Sequence, residues 1–202
     1  MKAINFLVIT VAIFLLCACQ HRETTRLSDM AFAEGDLVFR RGNGVKSRAV
    51  LHADSSGVYS HSGMIVLHDS AFMVVHITPG ERAQGDTADV IKMETPQQFF
   101  ASQRAKHGAV YRLKNDSLNI SKKAAQEILR LWKKSITFDH DYNLDDSTQM
   151  YCTELIYYAY SLAGKDITDG KRSKMNAPMY SGTYIFPSDI YKNSNLILIN
   201  KF

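Results

Sequence analysis

The stretch from Tyr59 to Thr78, YSHSGMIVLHDSAFMVVHIT, decides the fold of this protein. It contains two runs rich in Val, Ile, Met and Phe, residues 62–67 and 72–78, which are separated by His68-Asp69-Ser70-Ala71. Two short apolar runs joined by a turn are typical of a β-hairpin. The stretch therefore predicts two antiparallel strands, with one histidine at the start of the first strand and another inside the second.

These two histidines, His61 and His76, are predicted to share one face of the hairpin. If Leu67 pairs with Phe72, His61 lies opposite Thr78 and His76 is its diagonal neighbour, about 7–8 Å away between backbones. A ring that is oriented by a second polar ring suits base catalysis, because the second ring fixes the tautomer of the first. The alternative is a pair of half-exposed strand histidines, which a one-residue bulge would place on opposite faces.

Outward from the hairpin, strands and helices are segregated along the chain. Apolar residues recur at helical spacing over residues 121–134, where Ser121 is placed to cap the helix, and over residues 149–163. Further strands are predicted at 37–39, 109–113 and 196–199, and further helices at 45–53 and 97–105. This segregation favours an α+β fold in which an antiparallel β-sheet packs against helices.

Cys152 lies in the first turns of the helix predicted over 149–163. Unpaired backbone N–H groups and the helix dipole favour a thiolate there, and the thiolate is the nucleophilic form of cysteine. The alternative is a small buried apolar residue, since Cys152 is in phase with Leu155 and Ile156 on the apolar stripe. Glu154 and the aspartates between 139 and 146 are interpreted as structural partners of the backbone.

The N-terminus resembles the leader of an exported lipoprotein. An apolar run follows Lys2, and Leu16-Cys17-Ala18-Cys19 resembles the lipobox of bacterial lipoproteins, whose last cysteine is lipidated. We therefore predict a signal peptide over residues 1–18 and lipidation at Cys19. The alternative is an uncleaved anchor helix.

The leader also sets the predicted domain boundaries and the location. Residues 19–33 are expected to form the lipidated cysteine and its tether, and residues 34–202 the folded domain. Either form of the leader places the domain outside the cytoplasm on a membrane surface. With the lipobox, we predict a membrane-anchored lipoprotein of the bacterial cell envelope, on the periplasmic or outer-surface side.

Composition excludes several classes of protein. Of the 202 residues, 46% are apolar and 22% are charged, as in ordinary globular domains. The formal charge of +4 is too small and too mixed to imply a nucleic-acid partner. With residues 1–18 removed and Cys19 lipidated, Cys152 is the one remaining thiol, so an internal disulfide and a metal site of paired cysteines are both excluded. No metal and no cofactor is expected.

Three motifs carry a resemblance to a known family: GDLVF at 35–39, YSHSGMIV at 59–66 and YCTEL at 151–155. They resemble the signatures of the permuted papain-like amidases, the YiiX/YaeF-like branch of the NlpC-type cysteine peptidases. The histidine motif precedes the cysteine motif, as in the permuted branch. The resemblance covers about residues 34–190 and implies a circularly permuted papain-like fold with a catalytic Cys at a helix N-terminus.

The resemblance also implies roles for individual residues. Cys152 would be the nucleophile and His61 the general base. The third residue of the family, usually Glu in this branch, falls on the strand after the histidine, where this sequence has His76, so His76 is assigned to orient His61. The backbone N–H of Cys152 would contribute to an oxyanion hole, and Tyr59 and Tyr151 are expected to line the substrate site.

The function implied is that of a membrane-tethered thiol hydrolase. It would cleave an amide bond, in a cell-wall peptide or another N-acyl substrate, through an acyl-thioester. Two alternatives stay open. A thiol-dependent acyltransferase or lipid esterase of the lecithin:retinol acyltransferase kind would use the same residues, and a non-catalytic lipoprotein could use the fold to bind wall fragments.

Overall fold

A six-stranded antiparallel sheet is the centre of the fold in the computed structural model, which describes residues 27, 30–82, 85, 87–177 and 180–202. The strands are β1 (Leu37–Arg41), β2 (His61–His68), β3 (Ala71–His76), β4 (Lys92–Glu94), β5 (His107–Leu113), β6 (Thr137–Phe138), β7 (Gln149–Met150), β8 (Ser173–Ala177), β9 (Tyr180–Tyr184) and β10 (Leu196–Lys201). The central sheet has the order β10-β5-β1-β2-β3-β4. The predicted signal peptide and Cys19 lie outside the described residues.

The helices are α1 (Val45–Ala53), α2 (Pro96–Phe99), α3 (Ile120–Lys133), α4 (Cys152–Leu162) and α5 (Pro187–Tyr191). Helices α3 and α4 pack together over β2. An antiparallel sheet packed against helices is thus confirmed. In the part of the chain that the structure describes, every helix is too short or too polar to cross a bilayer.

The hairpin of β2 and β3 has the predicted register, with Leu67 opposite Phe72. Its turn is shorter than predicted, because the strands extend to His68 and Ala71. The two turn residues, Asp69 and Ser70, have φ values of 48° and 63°. Positive φ at both central positions suits a type I′ turn, whose twist matches that of the strands.

The sheet buries both of its faces because side chains alternate along each strand. Phe39, Met64 and Val75 point into the larger cluster, which α3 and α4 cover. Ile65 and Val74 point to the other side, into a smaller cluster that includes Phe99 and Phe100 around α2. Gly63 lies on this second face, where an added Cβ would come within 2.7 Å of a Val74 methyl group.

The packed domain begins before the predicted boundary at residue 34. Leu27, Met30 and Phe32 are partly buried against the smaller cluster. The backbone of this segment is also held, since Arg112 donates a hydrogen bond to the carbonyl of Ala31 at 2.9 Å. Part of the predicted tether over 19–33 is therefore part of the folded unit.

Helix α3 begins with a different cap from the predicted one. Ser121 does not cap it; the carboxylate of Asp116 accepts the N–H groups of Ile120 and Ser121 at 2.6 and 2.9 Å. The chain enters the helix through Asn119 in a left-handed conformation, with φ of 54°. A carboxylate in the preceding loop thus replaces the local serine cap, because the tight turn brings it over the helix end.

Candidate active site

Three neighbouring strands carry a chain of hydrogen-bonded side chains. His61 begins β2, His76 ends β3 and Glu94 ends β4. The Nε2 of His61 lies 2.9 Å from the Nδ1 of His76, and the Nε2 of His76 lies 3.0 Å from a Glu94 oxygen. The structure therefore brings the two predicted histidines into direct contact and adds a carboxylate behind them.

Burial and neighbouring charges set the protonation states of Glu94, His76 and His61. Burial acts to raise the pKa of Glu94, but the hydrogen bonds and charges of His76 and Arg104 lower it to about 2. Burial lowers the pKa of His76 to about 4, against the effect of Glu94. Burial, with the positive charge of Arg40, also holds the pKa of His61 well below its ordinary value. Near neutral pH the carboxylate is ionised and both rings are neutral.

These charge states fix the tautomers. An ionised Glu94 can only accept, so the Nε2 of His76 carries the proton and donates to it. The Nδ1 of His76 must then accept, and the Nε2 of His61 donates to it. This leaves a lone pair on the Nδ1 of His61, which is the state that a general base requires.

Charged side chains surround the two histidines: Arg40, Glu81, Arg104 and Glu94. Arg40 is buried, donates to the carbonyl of Phe99 at 2.7 Å and pairs with Glu81 at 2.6 Å. Arg104 pairs with Glu94 at 2.6 Å and lies 3.5 Å from Glu81. The aromatic ring of Phe99 packs against both histidine rings, with centroid distances of 5.5 Å to His61 and 5.1 Å to His76. The rings are thus held by packing as well as by hydrogen bonds.

Cys152 is the first residue of α4 and shares a cavity of about 740 Å³ with His61. Because His61 is the first residue of β2, its ring reaches the cavity at the end of the strand. Among the described residues, no hydrogen bond joins the thiol to this ring. The remaining lining near the thiol is largely aromatic or apolar: Phe138, His140, Tyr142, Tyr184, Ile185 and Phe186.

Near neutral pH, burial opposes the thiolate that the helix N-terminus favours at Cys152. Burial raises the pKa of Cys152 above its ordinary value, while the side chain and backbone of Ser62 act in the opposite direction. The favourable position at the helix N-terminus does not compensate for the loss of solvent. A neutral thiol therefore faces the cavity together with a neutral imidazole.

The residues on either side of Cys152 hold one wall of the cavity. The hydroxyl of Tyr151 accepts the backbone N–H of Ile185 at 2.9 Å. The hydroxyl of Thr153 donates to the carbonyl of Ile185 at 2.5 Å. This pair of hydrogen bonds, which we name the Ile185 clamp, fixes the segment 184–187 beside the thiol.

Only one of the two tyrosines expected to line the substrate site does so. Tyr151 lines the cavity, but Tyr59 is 1% exposed and lies in the core. Its ring packs against Phe39 and Tyr191, with centroid distances of 6.0 and 5.1 Å. The prediction for Tyr59 is corrected: although it is close to His61 in sequence, its side chain packs in the core and does not line the cavity.

The acidic residues before and after Cys152 have the structural roles predicted for them. Glu154 accepts the backbone N–H of Tyr151 at 3.2 Å, and burial raises its pKa to about 8. Asp139 accepts the N–H groups of residues 141 and 143 at 2.8 and 2.6 Å. In the described ranges, no group of three or more His, Cys, Asp and Glu side chains could hold a metal ion.

Glu94, Arg104 and Arg40 were not predicted from the sequence. Glu94 stands in the short strand Lys92–Glu94 and follows no motif. It reaches His76 because β4 pairs with β3, with Val74 opposite Glu94. The sequence of residues 92–94 can predict at most that this segment is a strand. It does not show that the strand pairs with β3, because that pairing depends on the tertiary structure.

Comparisons with known proteins bear on the family and the fold of this chain. A family model described as permuted papain-like amidase enzyme, YaeF/YiiX, C92 family, matches residues 31–198. Among solved structures, the chain is similar to the metalloprotein yiiX from Escherichia coli O157:H7, with a TM-score of 0.66 and 20% identity. That similarity covers 84% of this chain and 97% of the other and concerns the fold alone. A search of curated proteins finds no significant match.

Proposed function

Since this chain belongs to the permuted papain-like amidase family, YaeF/YiiX, C92, we propose that it is a cysteine hydrolase that cleaves an amide bond through an acyl-thioester on Cys152. One observation carries the proposal. The hydrogen-bonded side chains of Glu94, His76 and His61 end at a cavity that the thiol of Cys152 also lines. A binding protein needs neither an oriented imidazole nor a nucleophile in the same cavity.

The first step forms the thioester. The Nδ1 of His61 takes the thiol proton, and the sulfur of Cys152 then attacks the carbonyl carbon. The hydrogen bond between them forms as substrate fills the cavity, because catalytic hydrogen bonds are often long in ligand-free enzymes. The backbone N–H of Cys152 stabilises the developing oxyanion. The C–N bond then breaks, and His61 returns the proton to the leaving amine.

The second step releases the acid. A water molecule gives a proton to His61 and attacks the thioester carbon. The C–S bond breaks, the acid leaves and the proton returns to the sulfur of Cys152. His76 and Glu94 stabilise the protonated ring in both steps, because His76 accepts its Nε2–H and Glu94 fixes the tautomer of His76.

The cavity supports a substrate of modest size. Its volume of about 740 Å³ falls in the range of small-molecule sites. Its lining combines aromatic residues such as Phe138 and Tyr184 with the polar residues Asn43, Lys46 and Gln103. Such a cavity suits a short peptide or another N-acyl compound with an apolar acyl group and a polar remainder, and a cell-wall peptide is one such substrate.

We also propose that the protein is a lipoprotein of the cell envelope, anchored at Cys19. The proposal rests on the leader and lipobox of the sequence. Residues 20–26 are then the whole connection between the lipid and Leu27, which already packs on the domain. Seven extended residues span at most about 25 Å, so the domain would stay close to the membrane surface.

The experiment that tests the proposed function is a hydrolysis assay with a panel of N-acyl and peptide anilides. Cys152→Ala should abolish turnover, and mass spectrometry should detect an acyl adduct on Cys152 in the wild-type protein. His61→Ala should lower kcat/KM by about 10²–10⁴-fold, with smaller losses for His76→Ala and Glu94→Gln.

His52→Ala is the matched control, because His52 is exposed on α1 and does not line the cavity. It should leave kcat/KM unchanged. Full turnover in a folded Cys152→Ala variant would contradict the proposal.

A further inference from the structure

Ser62 presents a buried hydroxyl that the fold does not use. It is 0% exposed, and its oxygen forms no hydrogen bond of normal geometry. A buried hydroxyl without a partner costs about 1–3 kcal/mol. Such groups are rare in folded proteins and call for an explanation at the site where they occur.

Three other buried hydroxyls in this region of the described chain are paired. Thr153 donates to Ile185, Ser188 donates to Asp54 at 2.6 Å, and Ser60 accepts the N–H of Gly42 at 3.0 Å. The fold therefore satisfies hydroxyl groups in this region. The hydroxyl of Ser62 is unpaired although these nearby hydroxyls are hydrogen-bonded.

The surroundings of Ser62 point to one partner. Ser62 lies opposite Phe39 in the sheet, and Phe39 points into the cluster that α4 covers. The side chain of Ser62 thus faces α4, on the other side of the strand from His61. The first residue of α4 is Cys152, and the side chain and backbone of Ser62 both act to lower the pKa of its thiol.

We propose that Ser62 is a further catalytic residue, whose hydroxyl donates a hydrogen bond to the sulfur of Cys152 once His61 has taken the thiol proton. The proposal rests on the proposed function. In this step the S–H bond of Cys152 breaks, the proton moves to the Nδ1 of His61 and the electron pair stays on the sulfur. The O–H bond of Ser62 remains intact.

The resting structure explains why this arrangement favours reaction. A neutral thiol is a weak acceptor, so the hydroxyl has little to gain from it. A thiolate is charged, and hydrogen bonds to charged groups are about twice as strong. The hydroxyl therefore stabilises the reactive form more than the resting form, which is the condition for lowering a barrier. The unpaired hydroxyl of Ser62 therefore destabilises the resting enzyme, in which the thiol is neutral.

The test measures the reactivity of Cys152 and does not require a substrate. The full chain is treated with iodoacetamide between pH 5 and pH 10, and the tryptic peptide that contains Cys152 is quantified by mass spectrometry. Ser62→Ala should slow alkylation at pH 7 by about 10–100-fold and shift its pH profile to higher pH. Ser62→Thr, which keeps the hydroxyl, should restore most of the rate.

Thermal denaturation separates this role from a structural one. Ser62→Ala removes an unsatisfied buried group, so its Tm should equal or exceed that of the wild type. Ser121→Ala is the matched control, because Ser121 is also buried on α3 without a hydrogen bond of normal geometry. Its removal should leave the alkylation profile unchanged.

An unchanged alkylation profile in Ser62→Ala would overturn the inference. So would a slower rate accompanied by an equal loss in Ser121→Ala, since both losses would then reflect stability. The proposed function is judged separately, by whether His61→Ala slows alkylation of Cys152 in the presence of Ser62. The inference can therefore fail while the proposed function stands.

Discussion

His61 is the residue on which the proposed chemistry depends. Its pKa is held low by burial and by Arg40, and the pKa of the Cys152 thiol is raised by burial. Both groups are therefore neutral before reaction, and the nucleophilic thiolate forms only when His61 takes the thiol proton. This differs from a preformed thiolate–imidazolium pair, which would need a solvated or positively charged environment for the sulfur.

The low pKa of His61 predicts an acid-tolerant enzyme. The base is active when unprotonated, so activity is lost only as the pH falls through its pKa, which lies well below 6.5. The acidic limb of the kcat/KM profile should accordingly lie below pH 6.5. A plot of kcat/KM against pH from 4 to 8 checks this, and an acidic limb at or above pH 6.5 would contradict it.

At the scale of elements, α4 combines two functions at its first turn. It places Cys152 at the cavity, and through the Ile185 clamp it positions the segment 184–187. The same turn therefore carries the nucleophile and sets the wall against which a substrate would lie. Movement of this wall would change binding before it changed the chemistry of the thiol.

Loss of the Ile185 clamp should weaken substrate binding more than turnover. Thr153→Val and Tyr151→Phe keep the side-chain volume but leave a carbonyl or an N–H of Ile185 unpaired, at a cost of about 1–3 kcal/mol each. We expect a lower Tm and a rise in KM larger than the fall in kcat. Thr183→Val is the control, since Thr183 is exposed and does not line this cavity. A fall in kcat with an unchanged KM in the clamp variants would contradict the prediction.

At the scale of the whole molecule, the described segment before β1 packs against the sheet. Phe32 packs against Phe72 with a centroid distance of 6.2 Å. Asp36 accepts the N–H of Ala33 at 2.8 Å and pairs with Arg112 at 2.7 Å. The segment therefore covers the face of the sheet opposite α3 and α4.

This packing predicts that the stable domain starts before residue 34. A chain of residues 27–202 should be more stable than one of residues 34–202 by about 2–4 kcal/mol, because the shorter chain loses three partly buried apolar side chains. Urea denaturation of the two chains measures the difference. Equal midpoints and equal slopes would show that the segment does not contribute to the fold.

Local features of the structure were predictable from the sequence. The hairpin register follows from alternation on both sides of a short turn, and it brings His61 and His76 to one face. The region of the helix that carries Cys152 follows from its apolar stripe. The catalytic roles of these residues, and the leader with Cys19, stay predictions.

The sequence by itself therefore determined what depends on neighbouring residues: strand alternation, the pairing across one turn and the approximate start of a helix. The tertiary structure alone decided that Glu94 stands behind His76, that Tyr59 is buried and that burial keeps Cys152 protonated. The physical reason is that short patterns record the preferences of a local backbone. Strand order and solvent exclusion, which set side-chain partners and pKa values, depend on the packing of the entire domain.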